Sequence, residues 1–176
     1  MTPEDSIDAA THGYCVRQNK QICIVHLHGY DRMRLTFYSD YSLRLLMYAA
    51  VRHGELVTIQ EVATAYGISK NHLMKVAFEL GRDGYLETVR GRNGGLRLAR
   101  DPKEIGLGDV LRRTEQDFTM VECFDPKTNT CVISGPCRLQ RVLARALQAY
   151  LAVLDEYTLA DLTQKHPVLS RLLLTA

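Results

Sequence analysis

No apolar run in this chain approaches the roughly 20 residues that a membrane-spanning helix needs. The opening Met1-Thr2-Pro3-Glu4-Asp5 is acidic and lacks the basic start and greasy centre of a secretion signal, so the sequence predicts a cytoplasmic protein with no membrane partner. Charge of one sign is also scarce: the formal net charge is +2, too small to announce a polyanion binder from the total alone. Two-residue cysteine knuckles of the zinc-finger kind are missing. So is any Ser/His/Asp set or carboxylate pair placed for catalysis, and the six histidines are scattered, which argues against an enzyme. The 5 cysteines are odd in number. In a reducing compartment that count excludes a disulfide framework and leaves metal binding or redox chemistry.

What is present is organised by position. With 176 residues, 46% of them hydrophobic, the chain can build one core and a small extra module. Residues 69–100 carry Lys70, Lys75, Arg82, Arg90, Arg92, Arg97 and Arg100 against Glu79, Asp83 and Glu87. Residues 101–125 reverse the balance, with seven acids against three bases. A basic stretch beside an acidic one is how a localised phosphate-facing patch looks in sequence.

Residues 1–32 read as a leader, disordered or loosely attached, with at most one edge strand at Ile22-Cys23-Ile24-Val25. Cys15, Cys23, His26 and His28 in it match no tight zinc spacing, and Met33 is an alternative translation start. Residues 33–100 read as a winged helix-turn-helix. A first helix spans about 39–53, capped by Ser39 or Asp40, with Leu43, Leu46, Met47, Ala50 and Val51 as its buried stripe. Thr58-Ile59-Gln60-Glu61 is a capping box that opens a second helix ending at Tyr66-Gly67. Ser69 caps a third helix to about Arg82, whose inner face is Leu73, Val76, Ala77 and Leu80. The strand Tyr85–Val89, the turn Arg90–Gly95 with its Asn93-Gly94 dipeptide, and the return strand Leu96–Ala99 form the wing.

The third helix is then the one that enters the major groove, with Ser69, Lys70, Asn71, His72 and Lys75 on its first turns. Asn71 is suited to adenine, Lys70 and Lys75 to phosphates. Arg90, Arg92, Asn93 and Gly94 on the wing face the backbone or minor groove, with glycines keeping the tip thin.

Residues 101–137 hold a short linker helix from about Asp109 to Glu115 and then a thiol-rich loop. Cys123, Cys131 and Cys137 stand among prolines, a glycine and polar residues, where structural core cysteines are uncommon. The long gaps between them suit a cluster in which each thiolate reaches a different iron. Three thiolates leave a fourth position open to a carboxylate, a histidine, water or a small thiol. Residues 138–176 supply a long helix, about 137–156, and a tail. Leu139, Leu143, Ala146, Tyr150, Val153 and Tyr157 make a heptad seam, widened by Val142, Leu147, Leu151 and Leu154. One side suits its own domain and the other a second copy, so a homodimer is expected. Thr158 caps a last short helix, and the tail 168–174 is expected to pack back on the dimer region. The fold class is mainly α with a small β wing.

Met33-Arg34-Leu35-Thr36, Asp40-Tyr41-Ser42-Leu43-Arg44, the stretch Val89–Leu98, the three cysteines and Tyr157–Leu162 together resemble the iron–sulfur winged-helix transcriptional regulators of the Rrf2 type. The resemblance covers about four-fifths of the chain. It implies a homodimeric repressor on a palindromic promoter site in double-stranded DNA, with an iron–sulfur cluster, [4Fe-4S] favoured over [2Fe-2S], on Cys123, Cys131 and Cys137. In NsrR-like members an aspartate matching Asp40 completes the cluster from the other subunit, which implies nitric oxide as effector. Gln140 stands where IscR-like members place a histidine ligand. Phe118–Phe124 leans towards iron-responsive RirA-like members, whose repression of iron uptake is the alternative; a winged helix with a purely structural metal is another.

Overall fold

The computed structural model describes residues 34–164 and 167–174; the leader, its cysteines and histidines, and Met33 lie outside the described residues. From Leu35 onward the chain forms one unit. Helix α1 (Phe37–Val51) starts two residues earlier than its apolar pattern suggests. Its cap is neither Ser39 nor Asp40 but Thr36, whose hydroxyl accepts the Ser39 amide at 3.2 Å. The buried face is also rotated from the predicted stripe. Ser39, Ser42, Leu45, Leu46, Tyr48, Ala49 and Ala50 are buried, and Leu43, Met47 and Val51 flank the core. Serines occupy that face because α1 is the central helix and neighbours close on it from several sides, leaving little room.

Helix α2 (Ile59–Tyr66) begins with the predicted capping box: the Glu61 amide donates to the Thr58 hydroxyl at 3.1 Å and the Glu61 carboxylate accepts the Thr58 amide at 2.6 Å. Hydrogen bonds from the Thr58 backbone amide and side chain hold the Glu61 carboxyl below its ordinary range. Gly67 closes α2 in the left-handed conformation, and Ile68, buried, leads into α3 (Lys70–Arg82). Leu73, Val76, Ala77 and Leu80 are buried against α1 and α2, as their spacing predicts. Ser69 holds the cap position of α3 without a side-chain hydrogen bond.

The wing pairs β1 (Leu86–Val89) antiparallel with β2 (Gly95–Leu98), Leu86 opposite Leu98 and Val89 opposite Gly95. An extra rung went unread in the sequence. Val57 and Leu96 exchange both backbone hydrogen bonds at 2.8 Å, which locks the wing to the loop before α2. A single bridging residue has no period, so pattern cannot reveal it. The turn is five residues long, one fewer than the predicted Arg90–Gly95, because Gly95 already pairs as the first residue of β2. Its positive φ falls on Gly91 (123°). A Cβ on Gly94 would collide with the Val89 carbonyl oxygen, so the glycine there serves close approach. Gly94→Ala is expected to splay the wing and lower thermal stability by about 1–3 kcal/mol, with most of the loss in the hairpin; hydrogen exchange of the Val89 and Gly95 amides measures it.

Beyond the wing, a 3-10 turn (Pro102–Glu104) precedes α4 (Leu107–Thr114), which packs on α1 and places Val110 in the main core. A second 3-10 turn (Glu122–Phe124) lies within the loop to α5 (Arg138–Asp155). Helix α6 (Leu159–Thr163) carries a capping box from Thr158 and Asp161 and packs on α1. Helix α7 (Pro167–Leu174) corrects the expectation for the tail. It lies against α2 and places Leu173 in the main core, not on the pairing helix.

Candidate nucleic-acid interface and thiol loop

Inward burial of Leu73, Val76, Ala77 and Leu80 forces the opposite face of α3 outward. Ser69, Lys70, Asn71, His72 and Lys75 are all exposed there, together at the helix start. His72 is held differently from its neighbours: its ring stacks on Tyr41 of α1, centroids 6.2 Å apart. Exposed Met74 and Phe78 extend the same face, and with Asn71, Lys75 and Glu79 they line a shallow depression of about 550 Å³. Sequence reading passed over these two apolar residues, although Met74 lies three residues after Asn71 and Phe78 three after Lys75, which is the visible signal. On the wing, Arg90, Arg92 and Asn93 are exposed at the tip and Gly94 is half-buried beneath it. Arg97 does not join them, because its guanidinium pairs with Glu87 across the hairpin.

The three thiols lie on one loop. Cys123 sits in the 3-10 turn, Cys131 mid-loop, and Cys137 at the cap of α5; all are half-buried and none is in a disulfide. A polar network holds the loop without metal. The Glu122 carboxylate accepts the Thr130 amide at 2.5 Å and the Thr130 hydroxyl at 2.6 Å, tying the neighbour of Cys123 to the neighbour of Cys131. Those bonds keep the Glu122 carboxyl below its ordinary range. The Cys131 amide donates to Asn129 at 3.0 Å, and Asp125 accepts the Lys127 amide and the Thr128 hydroxyl, each at 2.9 Å. Cys137 caps α5 with no side-chain cap bond, where the positive end of the helix favours negative charge.

Among the described residues no three His, Cys, Asp or Glu side chains converge on a point where one metal ion could sit. The thiols are therefore no preformed single-ion site. As a donor set they suit a soft iron–sulfur group, whose thiolates attach to separate irons and stand further apart than ligands of one ion. Asp40 does not join them within the chain: Arg44, one turn on, grips its carboxylate at 2.9 and 2.8 Å.

Helix α5 has no buried residue at all. Leu143, Leu147, Leu151 and Leu154 are half-buried on the side that meets the rest of the chain, where α4 is its main neighbour. Leu139, Val142, Tyr150 and Val153 of the same helix, and Tyr157 just beyond its end, are exposed.

The family model for Rrf2, described as an iron-dependent transcriptional regulator, matches residues 35–165. The chain belongs to the Rrf2 family. A curated relative, the HTH-type transcriptional regulator NsrR of Bacillus subtilis, is 57% identical over 142 residues, covering 80% of this chain and 97% of that protein. The NsrR of Bacillus licheniformis is 53% identical, covering 80% and 99%. Among solved structures, CymR, the global cysteine regulator of B. subtilis, superposes with a TM-score of 0.63 at 24% identity, over 74% of this chain and 96% of that one. T. potens IscR gives 0.57 at 23% identity, over 74% and 86%. These two likenesses bear on the fold. This Rrf2 chain is thus a DNA-binding transcription regulator built on a winged helix, and not an enzyme.

Proposed function

We propose that this Rrf2 regulator is a repressor that holds an iron–sulfur cluster, [4Fe-4S] favoured over [2Fe-2S], on Cys123, Cys131 and Cys137 and responds to nitric oxide. The observation that carries this reading is the loop itself: three free thiols, the chain neighbours of two of them joined by the Glu122–Thr130 hydrogen bonds, beside a helix with exposed apolar residues. When bound, the cluster supplies iron open to attack by nitric oxide. Cys123, Cys131 and Cys137 supply the grip, and Asp40 of a second copy supplies the remaining ligand once Arg44 yields it. Such a bridge would tie the loop to the partner's α1, which carries the reading domain. Two copies paired through α5 place two α3 helices on a palindromic promoter, with Asn71 at base edges, Lys70 and Lys75 on phosphates, Met74 within reach of thymine methyl groups, and Arg90 and Arg92 along the backbone. The protein would act in the cytoplasm.

The test is anaerobic purification with iron and sulfide analysis, then nitric oxide titration of both the visible spectrum and promoter binding. Promoter affinity should collapse at a few equivalents per cluster. Full affinity after complete reaction would refute the effector, and a regulon of iron-uptake genes released by iron depletion would favour the iron-responsive branch instead. Arg92→Ala should also flatten the slope of log affinity against log salt by about 0.9, the mark of one lost phosphate contact; an unchanged slope would take Arg92 off the backbone.

A further inference from the structure

Helix α5 is fastened to the rest of the chain at its two ends by different means. At the C-terminal end the Arg112 guanidinium of α4 donates two bonds to the Asp155 carboxylate, both 2.6 Å. The pair holds the Asp155 carboxyl below its ordinary range. Gly108 is part of this joint, because a Cβ there would collide with the Asp155 carboxylate. Just beyond, Gly106 and Thr158 form a β-bridge in which Leu107 donates to the Tyr157 carbonyl at 3.0 Å and Leu159 to the Ile105 carbonyl at 2.8 Å. That end is fixed to the core.

The N-terminal end has no such anchor. Cys137 leads into it from the thiol loop, and one turn on, the half-buried Gln140 donates through Nε2 to the Cys123 carbonyl at 3.0 Å. Among the described residues this is the one side-chain hydrogen bond between α5 and the loop. It closes the loop into a ring, bringing the first thiol-bearing turn back onto the helix that the last thiol begins. About 22 Å of helix, at 1.5 Å per residue, separate Gln140 from Asp155. A shift of about 2 Å at Gln140 therefore swings α5 by roughly 5° about its fixed end.

We infer that Gln140 is a positioning residue that couples the thiol loop to the seating of α5, and through it to the face offered to a second copy. This rests on the reading of the loop as the sensing site. Gln140 touches no iron in this scheme. It holds the Cys123 backbone, so a change in the loop's shape is carried into the free end of the helix while the Asp155 end stays in place.

The experiment compares wild type, Gln140→Leu and Gln140→Asn as full-length protein, each cluster-loaded and cluster-free, for iron and sulfide content and for operator affinity. Leucine keeps the bulk and removes the donor. Asparagine keeps the donor but is one methylene too short to reach. Both variants should retain iron and cluster-free affinity, while the ratio of loaded to cluster-free affinity falls at least fivefold. Alkylation of Cys123 in cluster-free protein should quicken in both. A ratio within twofold of wild type overturns the inference. So does a normal ratio in Gln140→Leu with a defect confined to Gln140→Asn, which would mean packing alone, and so does loss of iron in both variants, which would make Gln140 an assembly residue. If wild type itself shows no difference between loaded and cluster-free forms, the sensing reading fails instead, and the alkylation rates still report whether Gln140 holds the loop.

Discussion

Alanine in place of Cys123, Cys131 or Cys137 is expected to give colourless protein from anaerobic cells and to weaken operator binding by roughly 5- to 150-fold, the span typical of coupled sites. Each thiol is half-buried on a loop outside the main core. Removing one sulfur costs the metal-free fold little, so the melting temperature of cluster-free variant and wild type should agree. The polar network argues the same way, since Glu122, Thr130, Asn129 and Asp125 hold the loop through oxygens and amides that these substitutions leave alone. The three variants should therefore share one phenotype, folded and iron-free. Cys15→Ala and Cys23→Ala, outside the set, should keep both colour and binding. A variant lacking one of the three thiols but retaining full iron and sulfide would remove that residue from the ligand set, and retention in all three would end the cluster reading.

How far the sequence exposed all this depends on the range of each interaction. Thr58 with Glu61 and Thr158 with Asp161 are capping boxes closed within four residues, and both appear in the structure as spacing alone predicts. The inner face of α3 follows from its period. The stripe on α1 does not, because a helix enclosed by α3, α4 and α6 buries serines and alanines where close packing demands small residues, and hydrophobicity then stops marking the inner face. The wing's glycines were visible, but not which of them needs positive φ and which only room, since both demands are met by the same residue. Gln140 and Cys123 are 17 residues apart across an irregular loop, and no period links a side-chain amide to one carbonyl at that range. The basic face and the thiols were legible as residue types. That Asp40 is gripped by Arg44, and that Met74 and Phe78 stand in the open beside Asn71, needed coordinates.

The second large effect concerns α5. Glutamate at both Val142 and Val153 should turn the protein into a folded monomer that binds a palindromic operator at least a hundredfold more weakly. Val142 is 59% exposed and Val153 50%, so neither holds the chain's own core together. Together with Leu139 and Tyr150 they form an apolar face about four turns long, on a helix that already rests on its own chain through Leu143, Leu147, Leu151 and Leu154. An isolated chain leaves that face in water. A second copy related by a two-fold axis meets the same residues with its own, so each burial counts twice, at about 25 cal/mol per Å² of apolar surface. Carboxylates placed there would be stripped of water with no cation opposite, a penalty of several kcal/mol that pairing must then overcome. The loss at the operator is larger than the loss of contact with either half-site, because joining two reading heads makes the second binding step intramolecular. Sedimentation at micromolar concentration, with circular dichroism to verify the helices, separates the outcomes. A folded double variant that still sediments as a dimer would show that pairing uses another surface, and the thiol loop would then have to reach its partner by a route that does not run along α5.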